Sequence, residues 1–229
     1  MVIKMYVDII LVFIILFVPL IADIKVRSNY SKYSKEKNSL NLSGKEVARR
    51  ILDNNGLNYI DIVPTKGHLT DHYNPITKKI SLSESSYDSK SIAGAAIAAH
   101  EVGHAIQDKE CYSFLRFRNK MVPFVNFTSR VASILIILSF IFNILDMLDA
   151  GIILLLVGLF FQLITLPVEF NASKRANEFL NKEALIEKTE QEGSKSMLNA
   201  AAMTYVASVI STILEIFRLI LIVASRDDR

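Results

Sequence analysis

Four apolar stretches decide most of what this sequence can become. They run from about Tyr6 to Ala22, Pro123 to Leu145, Ala150 to Val168 and Ala200 to Ala224. Each approaches the ~20 residues a helix needs to cross the hydrocarbon core of a bilayer. In hydrocarbon every backbone N–H and C=O must be satisfied within the chain, so such stretches read as helices. The rest of the composition agrees: 51% of the 229 residues are hydrophobic, yet 21% are charged, as expected where apolar spans alternate with water-exposed segments. The fold class that follows is mainly α: an integral membrane protein with three or four transmembrane helices and a separate water-exposed α+β region.

The first stretch could be mistaken for a signal peptide, but Asp23, Lys25 and Arg27 follow it with no small-residue cleavage site, so residues 1–22 read as an uncleaved anchor. The second and third stretches, residues 123–168, read as a hairpin joined by a short link from Asp146 to Asp149. The C-terminal segment, residues 200–229, carries Glu215 and Arg218, three residues apart on one helical face, where they can pair. Paired charges within a span face a bundle interior or water. The alternative is an amphipathic helix lying in the interface, which would leave three spans.

Basic residues near the span ends set the orientation. Lys25, Arg27, Lys32, Lys35 and Lys37 follow the first span, Arg116, Arg118 and Lys120 precede the second, and Lys174 and Arg175 follow the third. The hairpin link has no Lys or Arg. Residues 23–122 and 169–199 are therefore expected on the cytoplasmic side, with Lys4, Arg226 and Arg229 as a weak counterweight. The net charge of +3 is too small to suggest a nucleic-acid partner. The single cysteine, Cys111, excludes an internal disulfide and a cysteine-based zinc cluster.

The long loop has internal structure. Asn29 to Asn41 reads as a polar linker. Ser43 to Gly56 reads as a helix, with Ser43 and Glu46 as a capping box and Asn55-Gly56 as a left-handed stop. Tyr59 to Val63 and Lys79 to Leu82 are strand-like, and Asp71 to Pro75 reads as a turn between strands. Ser91 to Gln107 is helical and apolar nearly all round, which predicts burial.

That buried helix carries His100-Glu101-Val102-Gly103-His104. Residues i and i+4 share one helical face, so both imidazoles can reach one ion. Glu101 projects beside them, where it can take a proton from a water activated at the metal. Burying two histidines and a glutamate in an alanine-rich helix is costly unless they hold a ligand; the opposing reading is a pair of ordinary surface histidines. One Zn2+ per chain, held by two histidines and a carboxylate, leaves the fourth position for that water. Glu169 is the best-placed third ligand. It follows the third span directly, at the start of an expected helix, and the hairpin returns it to the side that carries His100 and His104. Asp71, His72 and Glu178 are rivals, and a solvated charge at a helix N-terminus is the other reading of Glu169.

In the stretch from Gly67 to Pro75, His72 or Tyr73 could stabilise the oxyanion at a scissile carbonyl, or the residues could simply shape a turn. Lys79 to Leu82 could be an edge strand that pairs with an extended peptide.

Three blocks, Gly67 to Pro75, Ala99 to Gln107 and Leu166 to Ser173, resemble the bacterial YugP-type neutral zinc metallopeptidases, and the likeness extends from about Ser43 to the fourth span. The resemblance implies a multi-pass, membrane-bound, zincin-like peptidase of the gluzincin type in a bacterial plasma membrane, with a cytoplasmic catalytic region. It implies His100, His104 and Glu169 as ligands and Glu101 as the base. Glu169 and Ser173 also resemble the Glu-x-x-x-Asp of membrane peptidases related to HtpX, where the later carboxylate orients a ligand histidine; Ser173, or else Asn171, would take that part here. The expected activity is a zinc-dependent endopeptidase that uses activated water, with peptides or membrane proteins as substrates and the lipid bilayer as a partner. The competing expectations are an inactive zinc-binding membrane scaffold, which would have no use for Glu101, and a metal transporter, whose spans would be expected to contain the His or Cys that these spans lack.

Overall fold

The computed structural model describes residues 2–227, with side chains from 6 to 225, so the side chains of Lys4, Arg226 and Arg229 of the charge argument lie outside those described. The backbone divides into two compact units. One comprises Ile24–Leu115 and Pro167–Met203; the other comprises Met1–Asp23, Arg116–Leu166 and Thr204–Arg229.

The first of these units is built on helix α4, Ile92–Lys109. The Ser91 hydroxyl accepts from the Gly94 N–H at 3.0 Å and so caps its N-terminus. Ala93, Ala95, Ala96, Ala98 and Ala99 have no exposed surface; small side chains let neighbouring elements approach the helix on every side. Helix α2, Gly44–Asn54, packs against it through Val47, Ala48, Ile51 and Leu52. The expected capping box is present: Ser43 Oγ accepts from Glu46 N, and Glu46 Oε2 accepts from Ser43 N at 2.7 Å. Gly56, at φ 64°, provides the left-handed stop.

Three strands, β1 Asp61–Thr65, β2 His72–Asn74 and β3 Lys79–Ser83, form a sheet in the order β1-β3-β2. Strand β3 runs parallel to β1, with Ile62 opposite Ile80, and antiparallel to β2, with Tyr73 opposite Ile80. Two expectations fail here. Lys79 to Leu82 is the central strand with neighbours on both sides, so it has no free edge to offer a peptide. Asp71 to Pro75 is not the turn: His72–Asn74 is strand, and the reversal comes after it. Asn74 Oδ1 accepts from the N–H groups of Ile76 and Thr77 at 2.9 and 3.1 Å, and Lys78 takes φ 52°. A one-turn helix, α3 Glu84–Tyr87, leads towards α4.

The expected polar linker is ordered. Helix α1 runs from Val2 to Tyr33, because Tyr30 and Tyr33 pack on Ile92, Ala93, Ile97 and Met197 and carry the helix past the charged residues. Beyond it Asn38 is buried, donating to Leu42 O at 2.7 Å and accepting from Leu42 N at 2.9 Å.

Four helices, whose apolar parts make up the other unit, meet the length and apolarity needed to cross a membrane: α1, α5 Ser113–Phe142, α6 Leu145–Lys182 and α7 Gln191–Asp227. Most of the apolar stretch of α1 is exposed, Ile10, Phe13, Leu16 and Ile21 among it, as suits a lipid-facing surface. Leu148 and Ile152 of α6 pack on Ile216 and Leu219 of α7. Gln162 Nε2 donates to Thr212 Oγ1 at 3.0 Å. Glu215 and Arg218 stand 3.4 Å apart, and Arg218 Nε also donates to Asp8 Oδ1 of α1 at 2.7 Å.

The hairpin link and the setting of Glu169 both need correcting. Asp146 to Asp149 lies within the first turns of α6, where acidic side chains suit the helix dipole. The chain reverses at Asn143-Ile144, with Asn143 at φ 57° and Ile144 N donating to Ser139 O at 3.2 Å. Glu169 sits inside α6, which continues through Pro167, rather than at a helix start. A charge that answers a helix N-terminus is therefore no longer an account of Glu169.

Candidate metal centre

Helix α4 places His100 and His104 one turn apart, with ring centroids 4.8 Å apart and planes at 87°. Both Nε2 atoms face the same carboxylate oxygen, Glu169 Oε2, at 3.3 Å from His100 and 3.6 Å from His104. The donor atoms of the three residues all lie within 4.8 Å of one another. Ligands bound at about 2.0–2.1 Å to a tetrahedral zinc stand about 3.3–3.4 Å apart, close to the two histidine–carboxylate separations. Two imidazole nitrogens and a carboxylate oxygen also form a donor set that zinc accepts. All three residues belong to the same compact unit.

The approach of α4 to α6 depends on Gly103, between the two histidines. A Cβ at Gly103 would lie 2.8 Å from Ala172 O and 3.2 Å from Ala172 Cα, so only glycine admits the α6 backbone this close.

Each imidazole is also held at its other nitrogen. His100 Nδ1 lies 3.2 Å from Ser173 Oγ, and His104 Nδ1 lies 3.0 Å from Gln107 Oε1. Gln107 Nε2 donates to Val168 O at 2.8 Å and to Asn171 Oδ1 at 2.9 Å. Asn171 Oδ1 also accepts from Arg175 Nε at 2.8 Å, and Arg175 reaches Glu110 at 2.6 Å. Of the two residues expected to orient a histidine, Ser173 lies beside His100, whereas Asn171 bonds to Gln107 and Arg175. Gln107 itself was not anticipated. The signal was its position three residues beyond His104 on the same helical face.

Glu101 is buried. Burial pushes its carboxyl above the ordinary carboxylate range, against the downward pull of His100 and His104. Burial opposes charge on His104, yet Glu169 beside it raises the imidazole above its ordinary value. The carboxylate field that favours a proton on His104 would favour a cation in its place.

The rival ligands are engaged elsewhere. Asp71 accepts from Ser83 N at 2.8 Å and from the Ser83 hydroxyl. His72 is exposed, with Nδ1 2.9 Å from Thr70 O. Glu178 is exposed and lies 3.8 Å from Lys174. The Tyr73 hydroxyl donates to Asp108 at 2.7 Å, and Lys78 bonds to the same carboxylate; burial and Asp108 hold its pKa above the ordinary tyrosine value. Neither His72 nor Asp71 joins the converging donor group among the described residues.

A family model described as "Putative neutral zinc metallopeptidase" matches residues 8–224. A protein of Bacillus subtilis (strain 168) named "Putative membrane protease YugP" is 46% identical over 201 residues, covering 88% of this chain and 89% of that protein. No solved structure matches the chain.

Proposed function

The chain belongs to this neutral zinc metallopeptidase family, and on that premise we propose that it is a multi-pass, membrane-bound, zinc-dependent endopeptidase of the gluzincin type. One Zn2+ per chain would be held by His100, His104 and Glu169, with Glu101 as general base. The observation that carries this reading is the convergence of both Nε2 atoms on Glu169 Oε2.

When bound, zinc supplies Lewis acidity: it polarises a peptide carbonyl and makes water acidic enough to attack it. The protein's own residues do the rest. Glu101 takes the proton from the attacking water and delivers it to the departing amine. Its raised pKa suits this exchange, because a group poised nearer neutrality can both accept and release a proton. Ser173 orients His100, and the burial of the site limits competing bulk water. No nucleophile is required, consistent with the exposed position of Cys111.

The substrates proposed are peptide bonds in membrane proteins or their juxtamembrane tails, because Glu169 follows the third apolar stretch without a break. The orientation proposed is a cytoplasmic catalytic region in a bacterial plasma membrane, supported by the basic residues that flank the spans. The test is the zinc content and peptide cleavage of detergent-purified protein, wild type beside Glu101→Gln. A variant that keeps zinc and loses cleavage supports the enzyme. Equal cleavage by both forms would remove Glu101 from the mechanism, and zinc without cleavage in either form would favour the inactive scaffold.

A further inference from the structure

We propose that Gln107 is a positioning residue of the metal site: its amide selects the His104 tautomer whose Nε2 is free to bind metal, and ties that choice to the part of α6 that carries Glu169. The inference rests on the zinc reading above.

Hydrogen-bond polarity carries the argument. Gln107 is completely buried, so each of its amide atoms needs a partner among its neighbours. The nitrogen end meets two acceptors. Val168 O is a backbone carbonyl and can only accept. Asn171 Oδ1 already accepts from the guanidinium of Arg175, which can only donate. The Gln107 atom facing α6 must therefore be the NH2, and the atom 3.0 Å from His104 Nδ1 must be the carbonyl oxygen. A carbonyl oxygen accepts only, so Nδ1 of His104 carries the hydrogen. The Nε2 lone pair is then left facing Glu169.

The direction of each bond is thus set from the Glu110–Arg175 ion pair, through Asn171 and Gln107, to the imidazole. His100 lacks such a constraint, because the Ser173 hydroxyl beside it can donate or accept. The same Gln107 amide holds the carbonyl of Val168, the residue before Glu169. One side chain therefore fixes the tautomer of one ligand and the backbone position of another.

The test compares zinc affinity in the full-length detergent-purified protein, measured by competition with a chromophoric chelator, together with the visible spectrum after loading with Co2+. Gln107→Met keeps length and loses the acceptor; Gln107→Glu keeps an acceptor towards His104 and loses the amide donors towards α6. The expected result is about 10- to 100-fold weaker zinc binding in the Met variant, the range typical of lost outer-shell partners, with an altered Co2+ spectrum. The Glu variant, which keeps the acceptor towards His104 but loses the hold on Val168, should fall between wild type and the Met variant. Wild-type affinity in the Met variant, equal losses in both, or a larger loss in the Glu variant would overturn the role assigned to Gln107, leaving it a packing residue. A wild-type protein that binds no zinc would instead overturn the underlying metal reading, and this inference with it.

Discussion

Gly103 and Ala172 bring two backbones together: a single Cβ on Gly103 would come within 2.8 Å of the Ala172 carbonyl oxygen. The atoms in the way are main chain, which cannot rotate aside. Gly103→Ala should therefore push α4 and α6 apart and cost about 1–3 kcal/mol, as overpacking does, with weaker zinc binding because His104 and Glu169 sit on the separated helices. Ala172→Gly should fail to rescue it. Thermal unfolding and chelator competition check both statements, and a Gly103→Ala protein with wild-type stability would refute the close contact.

The ligand set can be read from metal content. Wild type should carry about one zinc per chain, and His104→Ala and Glu169→Ala should each lose it. Asp71→Ala, His72→Ala and Glu178→Ala should retain it, since those side chains are engaged elsewhere. Zinc persisting in Glu169→Ala would move the third ligand to another residue.

Replacing the proposed base separates binding from chemistry. Glu101→Gln should retain zinc while peptide cleavage falls about 10²- to 10⁴-fold, the usual contribution of a positioned acid–base group. Rates measured on one quenched peptide at matched metal loading decide it; a loss below about tenfold would argue for another base.

The lone thiol reports orientation. Cys111 is exposed and follows α4 directly. In intact cells a membrane-impermeant maleimide should leave it unlabelled, and permeabilisation should expose it. Labelling of intact cells would place the metal-site side of the protein outside.

The start of α2 should respond to acid. Its bond from the Ser43 N–H, and then that from the Ser43 hydroxyl, hold the Glu46 carboxyl below its ordinary value. A depressed carboxyl contributes stability above the unfolded pKa, and that contribution fades as pH falls through the folded value. Ser43→Ala should cost about 0.5–2 kcal/mol near neutral pH, and Glu46→Gln should flatten the acid limb of the unfolding curve below about pH 4.5. Unfolding followed from pH 3 to pH 7 tests this.

Features written in local spacing were legible in the sequence. The i, i+4 histidines, the Ser43–Glu46 cap, the buried alanine-rich helix and the four apolar stretches all needed only neighbouring residues. Boundaries set by distant packing were not. Helix α1 outlasts its apolar run because Tyr30 and Tyr33 find Ile92 and Met197, and α6 passes through Pro167 where composition marked an end. Strand β2 has three residues, too few to show an alternation, and exists through its pairing with β3. Gln107 stayed hidden for a related reason: its partners Val168 and Asn171 lie more than sixty residues away.

The order of the donors along the chain gives the site a timetable. His100, Glu101 and His104 leave the ribosome ahead of Glu169, the last of them by 65 residues (169 − 104), and the intervening stretch includes all of α5 and most of the apolar part of α6. A nascent or truncated chain that ends before Glu169 holds two donors and a base but no third donor. For the proposed hydrolase, that sequence of synthesis would be a safeguard: the chain cannot assemble the three-donor group until α5 and the apolar part of α6 have been made.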